Sequence, residues 1–269
     1  MKLEILLSCM NQQDHSLIAA SGITGDAVVV NQCGREDRKI LPNVRGNVCW
    51  IDSAQTGLTR SRNLALDAAR GDVCLLCDDD ELFVPNYAEL ITDAYRALPQ
   101  ADVIVFRIGG WRDLGNRPRR VRFPDTMHVA SWQISFRRER LAASGVRFDE
   151  LLGAGTGNGA EEELKFLTDC TRKGLKIYYW PEEIARVDHR SSTWFRGFDG
   201  TFFYNRGATT RYILGYPTAM AYGVYYLVRK YPLYRRTITP VEALRALLRG
   251  MGENKIGKQA QSRKESEKP

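Results

Sequence analysis

Residues 72–87 read DVCLLCDDDELFVPNY and hold the strongest local signal in this 269-residue chain. The short apolar run from Val73 to Leu76 predicts a buried strand. It is soon followed by four consecutive acidic residues, Asp78–Glu81, which would repel one another unless a cation lay among them. Hard carboxylate oxygens of this kind are typical of Mg²⁺ or Mn²⁺ bound together with a phosphate. A solvated acidic loop is the alternative interpretation.

Strand-like and helix-like patterns alternate on both sides of this stretch. We predict strands at 3–9, 27–30, 47–51, 73–77, 102–107, 128–137 and 175–180, the last closed by Pro181, and helices at 57–69, 85–97, 139–143 and 161–173. This alternation predicts an α/β fold with a mixed, mostly parallel sheet flanked by helices. Ligands of such sheets bind outside the carboxyl ends of the strands, where Asn31 and Asp78–Glu81 fall.

Charge is spread unevenly along the chain. From Arg190 to the end, fifteen Lys or Arg stand against five Asp or Glu, whereas the preceding residues are close to neutral. This is unlike the broad basic face of a nucleic-acid-binding domain, so we predict no nucleic-acid partner. A basic C-terminal region fits contact with anionic lipid at least as well.

The cysteine and hydropathy patterns of the sequence indicate the cellular compartment of the protein. The six cysteines are scattered, several of them inside apolar strand-like runs, as is typical of buried thiols in a reducing compartment. The N-terminal apolar run is too brief for a signal peptide, and no run reaches transmembrane length. We therefore predict a cytoplasmic protein that can also lie peripherally at the inner face of the plasma membrane.

The C-terminal segments differ from residues 1–200 in composition. Residues 201–250 predict helices and mix Tyr, Leu and Ile with Arg and Lys. That mixture fits either a membrane interface or a helical layer that closes the core. Residues 251–269 nearly lack apolar side chains and predict a disordered basic tail.

Several motifs follow one another in a distinctive order. They are VVVNQ at 28–32, GLTRSRNLALDAARGD at 57–72, LLCDDDELFVPNY at 75–87, GAGTGNG at 153–159 with three glutamates behind it, and His189 followed by RSS. Together they resemble glycosyltransferase family 2, whose members are inverting enzymes of the GT-A, Rossmann-like fold. Within the family they look like the bacterial capsule and exopolysaccharide transferases. The resemblance implies that residues 1–200 form a glycosyltransferase domain.

The resemblance implies a metal-dependent donor site. Asp78 and Asp80 are similar to the family's DxD motif, which binds the donor diphosphate through Mn²⁺ or Mg²⁺, and Asp79 lies between them in the donor site. His189 resembles a histidine that lies near the diphosphate and the metal. The predicted metal ligands are therefore Asp80, Asp78 and His189, with a purely structural histidine as the alternative for His189.

Four further residues are predicted to contact the donor. Arg60, Arg62 and Asn63 match the helix-opening region that lines the family's donor pocket, and either arginine could bind phosphate in a bidentate manner. Asn31 occupies the position at which the family commonly carries an Asp that contacts the nucleotide base. The amide at this position leaves the identity of the base open.

The glutamates behind the glycine-rich segment are the candidate catalytic residues. Glu161 and Glu162 resemble the family's acidic pair, whose second carboxylate is the catalytic base. An inverting transfer needs such a carboxylate, because the acceptor hydroxyl must lose its proton as it attacks the anomeric carbon. Glu162 is the predicted base, although Glu163 makes the register ambiguous by one residue. Acidic charge that stabilises a helix N-terminus is the structural alternative.

The function that the resemblance implies is sugar transfer from a nucleotide sugar, with UDP as the expected nucleotide. The expected acceptor is a saccharide or a polyprenyl-diphosphate-linked precursor of a bacterial surface polysaccharide. A sugar-phosphate nucleotidyltransferase is one alternative, but Ser8–His15 lacks the Gly-rich, Lys-containing loop that such an enzyme places after its first strand. A non-catalytic nucleotide- or saccharide-binding protein on a transferase scaffold is the other.

Overall fold

The structure of the protein, a computed structural model, describes residues 1–111, 113–153, 155–158, 161–187 and 197–266. The chain divides into two compact units. The first holds Met1–Phe148 and Glu163–Ser191, and the second holds Asp149–Glu162 and Ser192–Pro269. The second unit therefore includes the glycine-rich segment, which the predicted boundary at residue 200 assigns to the first domain.

A mixed ten-stranded sheet, counted over the described residues, forms the centre of the first unit. Its strands are β1 (Leu3–Met10), β2 (Asp26–Gln32), β3 (Asp37–Asn43), β4 (Gly46–Ser53), β5 (Val73–Asp78), β6 (Glu81–Phe83), β7 (Val103–Gly109), β8 (Arg119–Arg120), β9 (Ile134–Arg137) and β10 (Ile177–Val187). Their order across the sheet is β3-β4-β2-β1-β5-β9-β7-β10-β6, with β8 paired to β10. The central strands β4, β2, β1 and β5 are parallel, so their carboxyl ends meet at one edge. Because β2 and β5 flank β1 on opposite sides, this edge is a topological switch point.

Helices cover both faces of this sheet. Those on one face are α1 (Ser16–Ala20) and α3 (Tyr87–Ala97), and those on the other are α2 (Leu58–Ala68), α4 (Arg138–Ser144) and α5 (Glu162–Arg172). Successive strand residues alternate between the two apolar layers, so that Ile5 and Leu7 pack in the first and Leu6 in the second. The sheet is therefore buried on both sides, as the near-continuous apolar runs of its central strands require.

Several strands differ from the sequence prediction. The predicted strand at 128–137 is wrong over most of its length, because β9 spans only Ile134–Arg137 and Ser131–Gln133 form a short 3₁₀ turn. The Gln133 side chain closes this turn by accepting from the Ala130 N–H and donating to the Phe106 carbonyl.

The sequence does not predict β3, because this edge strand is largely exposed and lacks apolar alternation. The short strands β6 and β8 are not predicted by the sequence either. The predicted end of a strand at Pro181 is wrong, since β10 continues to Val187. The pairing of β10 with β7 shifts register between Trp180 and Glu183, and a bulge at that point tolerates a proline.

The second unit is helical. Its described helices are α6 (Gly200–Leu214), α7 (Tyr216–Tyr234), α8 (Pro240–Glu253) and α9 (Lys255–Ser266). Phe203, Leu247 and Met251 are among the buried side chains of its core. Helices α6 and α8 touch through their backbones, because a Cβ atom at Gly207 would overlap the Leu247 carbonyl and one at Gly250 would overlap the Tyr204 carbonyl.

The prediction of a disordered tail at 251–269 is corrected over most of its length. Residues 251–253 complete α8, and residues 255–266 form α9. Met251 and Ile256 are buried, and Gln259 accepts a hydrogen bond from Asn158. Two apolar anchors and a polar contact thus order a segment whose average composition is that of a disordered chain. The remainder of the segment, 267–269, lies outside the described residues.

Candidate active site

The carboxyl ends of β1 and β5 begin the candidate site. In the parallel pairing of these strands Ser8 lies opposite Asp78. Ser61 of α2 donates to the Ser8 hydroxyl (2.9 Å), which fixes the start of this helix at the same edge of the sheet. The first turns of α2 accordingly bury polar rather than apolar side chains, namely Thr59, Ser61, Arg62 and Asn63.

A buried ion pair between Arg62 and Asp78 lies at this edge. One terminal nitrogen of the Arg62 guanidinium lies 3.0 and 3.2 Å from the two Asp78 oxygens. The Ser131 hydroxyl accepts from the same nitrogen (2.7 Å) and donates to Asp78 (3.1 Å). Only 2% of the Arg62 side chain is exposed, so the interaction is little weakened by solvent. The structure therefore brings together two of the predicted donor-site residues.

Two further contacts hold the Arg62 guanidinium in place. Glu163 forms a second ion pair with it at 3.6 Å. The guanidinium carbon lies 5.4 Å from the centroid of the Phe148 ring, within the range of a cation–π contact. An arginine enclosed in this way positions Asp78 and has little freedom to bind a substrate phosphate itself.

The acidic turn after β5 is organised by Glu81. The Asp78 backbone N–H donates to the Glu81 carboxyl group (2.6 Å), and Asp79 and Asp80 form the turn between them. Glu81 is buried, and this burial raises its pKa well above the ordinary value, with the charge of Asp78 adding to the rise. A protonated Glu81 relieves part of the repulsion that four adjacent carboxylates would otherwise create.

Asn31 is wholly buried at the end of β2. Its side-chain amide donates to Asp52 (2.9 Å) and to the Gln12 carbonyl (3.1 Å), and its oxygen accepts from the Gln12 N–H (3.0 Å). These bonds join the ends of β2 and β4 to the segment after β1. The structure thus gives Asn31 a positioning contact, and its predicted contact with the base stays a prediction.

Asp52, at the end of β4, was not among the predicted site residues. It accepts hydrogen bonds from Trp50 (2.9 Å), Arg35 (2.7 Å) and Asn31. Burial alone would raise the pKa of Asp52, but these three donors lower it to about 2. The only signal for this residue in the sequence is its place after a strand.

The remaining residues of the α2 motif have different surroundings. Asn63 donates to the Phe148 carbonyl and accepts from the Phe148 N–H, both at 2.9 Å, so its amide holds a backbone segment. Arg60 lies on the exposed side of the first turn. Of the two predicted phosphate-binding arginines, Arg60 is therefore the one that faces solvent.

The described glycines of the glycine-rich segment, in the second unit, have positive φ angles. Gly153, Gly155 and Gly157 have φ values of 96°, 84° and 73°, a region that other residues rarely adopt. Glu161, which follows, has a φ of 87° and is a strained exception. Its carboxylate forms an ion pair with Arg206 and accepts from the Thr209 hydroxyl (3.3 Å), which holds it in this conformation.

Glu162 and Glu163 lie in the first turn of α5. Glu162 is 3% exposed. Glu163 belongs to the first unit, where it pairs with Arg62. Glu161 thus pairs with Arg206, and Glu163 pairs with Arg62.

The model of glycosyl transferase family 2 matches residues 15–150, about half of the chain. The chain belongs to this family. The matched region contains β2, α2, β5 and the acidic turn, so every donor-site residue that the sequence predicts lies in it. The family resemblance of the motifs is confirmed, and family 2 membership makes the protein a glycosyltransferase. No curated protein matches the sequence.

Solved structures show that this family 2 enzyme shares the fold of TarS from S. aureus. The structure of TarS 1–349 in complex with UDP-GlcNAc is 16% identical in sequence and has a TM-score of 0.62, covering 94% of this chain and 80% of that one. TarS 1–349 in complex with UDP is 15% identical with a TM-score of 0.56, covering 88% and 74%. The predicted fold class, a mixed sheet flanked by helices with a helical C-terminal region, is confirmed.

The predicted metal ligands are only partly within the described residues of the family 2 enzyme. Asp78 and Asp80 lie at the carboxyl end of β5 and in the turn after it, whereas His189 lies outside the described residues. Among the residues that are described, no three His, Cys, Asp or Glu side chains are grouped so that they could hold a metal ion. The metal site stays a prediction.

Proposed function

We propose that this glycosyltransferase is an inverting enzyme that moves a sugar from a UDP-sugar to a saccharide or polyprenyl-diphosphate-linked acceptor in bacterial surface polysaccharide synthesis. The observation that carries the proposal is the Arg62–Asp78–Ser131 cluster at the switch point of the sheet, with Asp80 in the turn that follows. Structures of TarS with UDP and UDP-GlcNAc, which share the fold, support UDP as the nucleotide.

A divalent cation fits the residues at the end of β5. Mg²⁺ and Mn²⁺ prefer carboxylate oxygens, and Mg²⁺ is commonly held by one or two carboxylates with substrate phosphate and water as the other ligands. Asp80 and Asp78 would hold the cation, with Asp78 already fixed by Arg62. A bound cation would supply charge stabilisation for the departing diphosphate.

Other side chains would bind the diphosphate, orient Asp78 and remove the acceptor's proton. Arg60, on the exposed side of the first turn of α2, would bind the diphosphate, aided by the backbone N–H groups at the start of that helix. Arg62 and Ser131 orient the Asp78 carboxylate through their hydrogen bonds. Glu162 would take the proton of the acceptor hydroxyl as that oxygen attacks the anomeric carbon from the face opposite the diphosphate. Glu162 holds the position of the second carboxylate in the family's acidic pair, and Glu161 is engaged in an ion pair with Arg206.

Release of nucleoside diphosphate from a panel of nucleotide sugars tests the proposal. Many transferases slowly hydrolyse their donor, so the assay needs no acceptor. We expect release from a UDP-sugar with Mn²⁺ or Mg²⁺, loss of release with EDTA, and loss in Asp80→Ala. Asp93→Asn, which changes an exposed carboxylate on α3, is the matched control and should behave as wild type.

Two outcomes would contradict the proposal in different ways. Metal-independent release, unaffected by Asp80→Ala, would remove the cation from the mechanism. Tight binding of UDP without release from any donor, and without transfer to any acceptor, would instead favour a non-catalytic binding protein on this scaffold.

A further inference from the structure

The outer face of helix α7 carries an exposed apolar stripe. Val224, Tyr225 and Val228 are 51%, 54% and 73% exposed, and with Ala221 and Pro232 they recur at the spacing of one helix face. We call these five residues the α7 stripe. Single exposed apolar residues are normal on a protein surface, but a contiguous stripe marks a contact site.

The opposite face of α7 packs into the core of the second unit. Ala219, Tyr226, Leu227 and Tyr234 are buried there, among side chains of α6 and α8. Helix α7 is thus apolar on both sides, and packing within its own unit accounts for only one of them. A helix that only closed a core would have a polar outer face.

Exposed apolar side chains concentrate in this part of the molecule. Of the sixteen large apolar residues that are exposed in the described chain, nine fall between Tyr216 and Leu248. Those of the first unit are scattered, as Ile40 and Val44 on the edge of the sheet illustrate. The concentration is a property of the second unit rather than of the whole surface.

The charged residues in the sequence around the α7 stripe are all basic. The sequence contains no acidic residue between Asp199 and Glu242. Arg229 lies beside the stripe, and the exposed Arg235 and Arg236 follow directly after the end of α7. A stripe of apolar and aromatic side chains that is bordered by arginines and free of acids matches the chemistry of an anionic membrane surface.

We propose that the α7 stripe docks on an anionic lipid bilayer, with α7 lying in the plane of the interface. Among the described residues no helix has the length and apolar composition of a transmembrane span, so the helix rests on the membrane. Val224 and Val228 enter the acyl boundary, Tyr225 lies at the headgroup level, and Arg235 and Arg236 meet lipid phosphate. A second copy of the chain fits less well, because it would bring two acid-free basic surfaces together.

The proposed docking depends on the exposed face of α7 and not on the proposed reaction. Membrane binding and sugar transfer can therefore be tested separately. The purified full chain is mixed with vesicles of phosphatidylcholine alone or with added phosphatidylglycerol, and the bound fraction is measured by flotation at low and physiological salt. We expect binding that needs phosphatidylglycerol and weakens with salt. Donor hydrolysis by the variants below should equal that of wild type.

Paired variants separate the apolar from the electrostatic contribution. Val224→Ser with Val228→Ser should lower vesicle affinity at least roughly tenfold. Arg235→Gln with Arg236→Gln should lower it roughly 30-fold and remove most of the salt dependence. The matched controls are Ile40→Ser with Val44→Ser and Arg120→Gln with Arg122→Gln, which remove equal numbers of exposed apolar or basic side chains from the first unit.

Three results would overturn the proposal. The first is that wild type fails to bind the anionic vesicles. The second is that the α7 variants and their controls bind equally well. The third is a concentration-dependent dimer, seen by analytical ultracentrifugation without lipid, that Val224→Ser with Val228→Ser dissociates. That result would make the stripe an interface between copies of the chain.

Discussion

The chain contains two acidic clusters, and arginines pair with carboxylates in both: Arg62 contacts Asp78 in the first and Glu163 in the second, and Arg206 contacts Glu161 in the second. In the first cluster, at 78–81, Arg62 pairs with Asp78 and is almost fully buried. In the second, at 161–163, Arg206 pairs with Glu161 but keeps 21% of its side chain exposed. Arg206 also lies over the rings of Phe202 and Tyr226. Both arginines combine an ion pair with an aromatic contact, and they differ in that Arg62 is almost fully buried.

The comparison shows how similar runs of carboxylates acquire different roles. A carboxylate with an internal arginine partner is held in a fixed position, because breaking a buried pair leaves an uncompensated charge. By this criterion Arg62 holds Asp78 in place in the first cluster, and Arg206 holds Glu161 in place in the second. The distinction depends on where the arginines lie and not on the acidic residues themselves.

The largest expected effect separates Glu162 from Glu161 in the second cluster. Glu162→Gln should lower the rate of donor hydrolysis roughly 10³-fold, because a neutral amide cannot accept the proton of the attacking water. Glu161→Gln should mainly lower the melting temperature, since it leaves Arg206 without its carboxylate, and should cost less than about tenfold in rate. Turnover and thermal unfolding are measured on both variants. If Glu161→Gln showed the greater loss of rate, the two roles would have to be exchanged.

The next effect concerns the buried arginine of the first cluster. Arg62→Met should lower the free energy of unfolding by about 3 kcal/mol, because it leaves the Asp78 carboxylate in a site without its cation. Adding Asp78→Asn to that variant should recover much of the loss. Urea unfolding of both single variants and the double variant gives the coupling energy directly. Additive losses would show that Arg62 and Asp78 do not act as a pair.

A smaller effect is expected where α6 and α8 cross. Gly207→Ala should destabilise the protein by about 2 kcal/mol, because the new methyl group overlaps the Leu247 carbonyl and displaces the helix that carries Arg206. Gly252→Ala, in α8, has nothing within 4 Å of the added Cβ and should stabilise slightly. Thermal melts of the two variants provide the test. Equal melting temperatures would contradict the close backbone contact.

The smallest effect appears only in acid. Asp52 stays ionised in the folded chain down to its pKa of about 2, whereas in the unfolded chain it takes up a proton near its ordinary pKa of 3.8. Its contribution, about 2 kcal/mol, is therefore present above pH 4 and lost as the pH falls towards 2. Asp52→Asn should flatten the stability curve in that range, as followed by urea unfolding at several pH values. Arg38→Gln, at an exposed position on β3, is a suitable control.

Part of the site could be predicted from the sequence because its signals are local. The apolar run before Asp78 and the helical pattern after Gly57 each reside within a few residues of the chain. The partners that give these residues their roles do not. Ser131 lies on a short turn that no periodicity marks, and Asp52 looks like any polar residue after a strand. Arg62 has the appearance of a substrate-binding arginine until its burial is known.

The sequence by itself determined the α/β alternation, the family and the position of the acidic residues after β5, because strand and helix periodicity and motif order are properties of neighbouring residues. The tertiary structure decided which carboxylates are neutralised, that β10 passes through Pro181, that the tail forms α9, and that α7 is apolar on its outer face as well. Each of these depends on contacts between segments far apart in the chain. Burial and charge pairing arise only when those segments pack together.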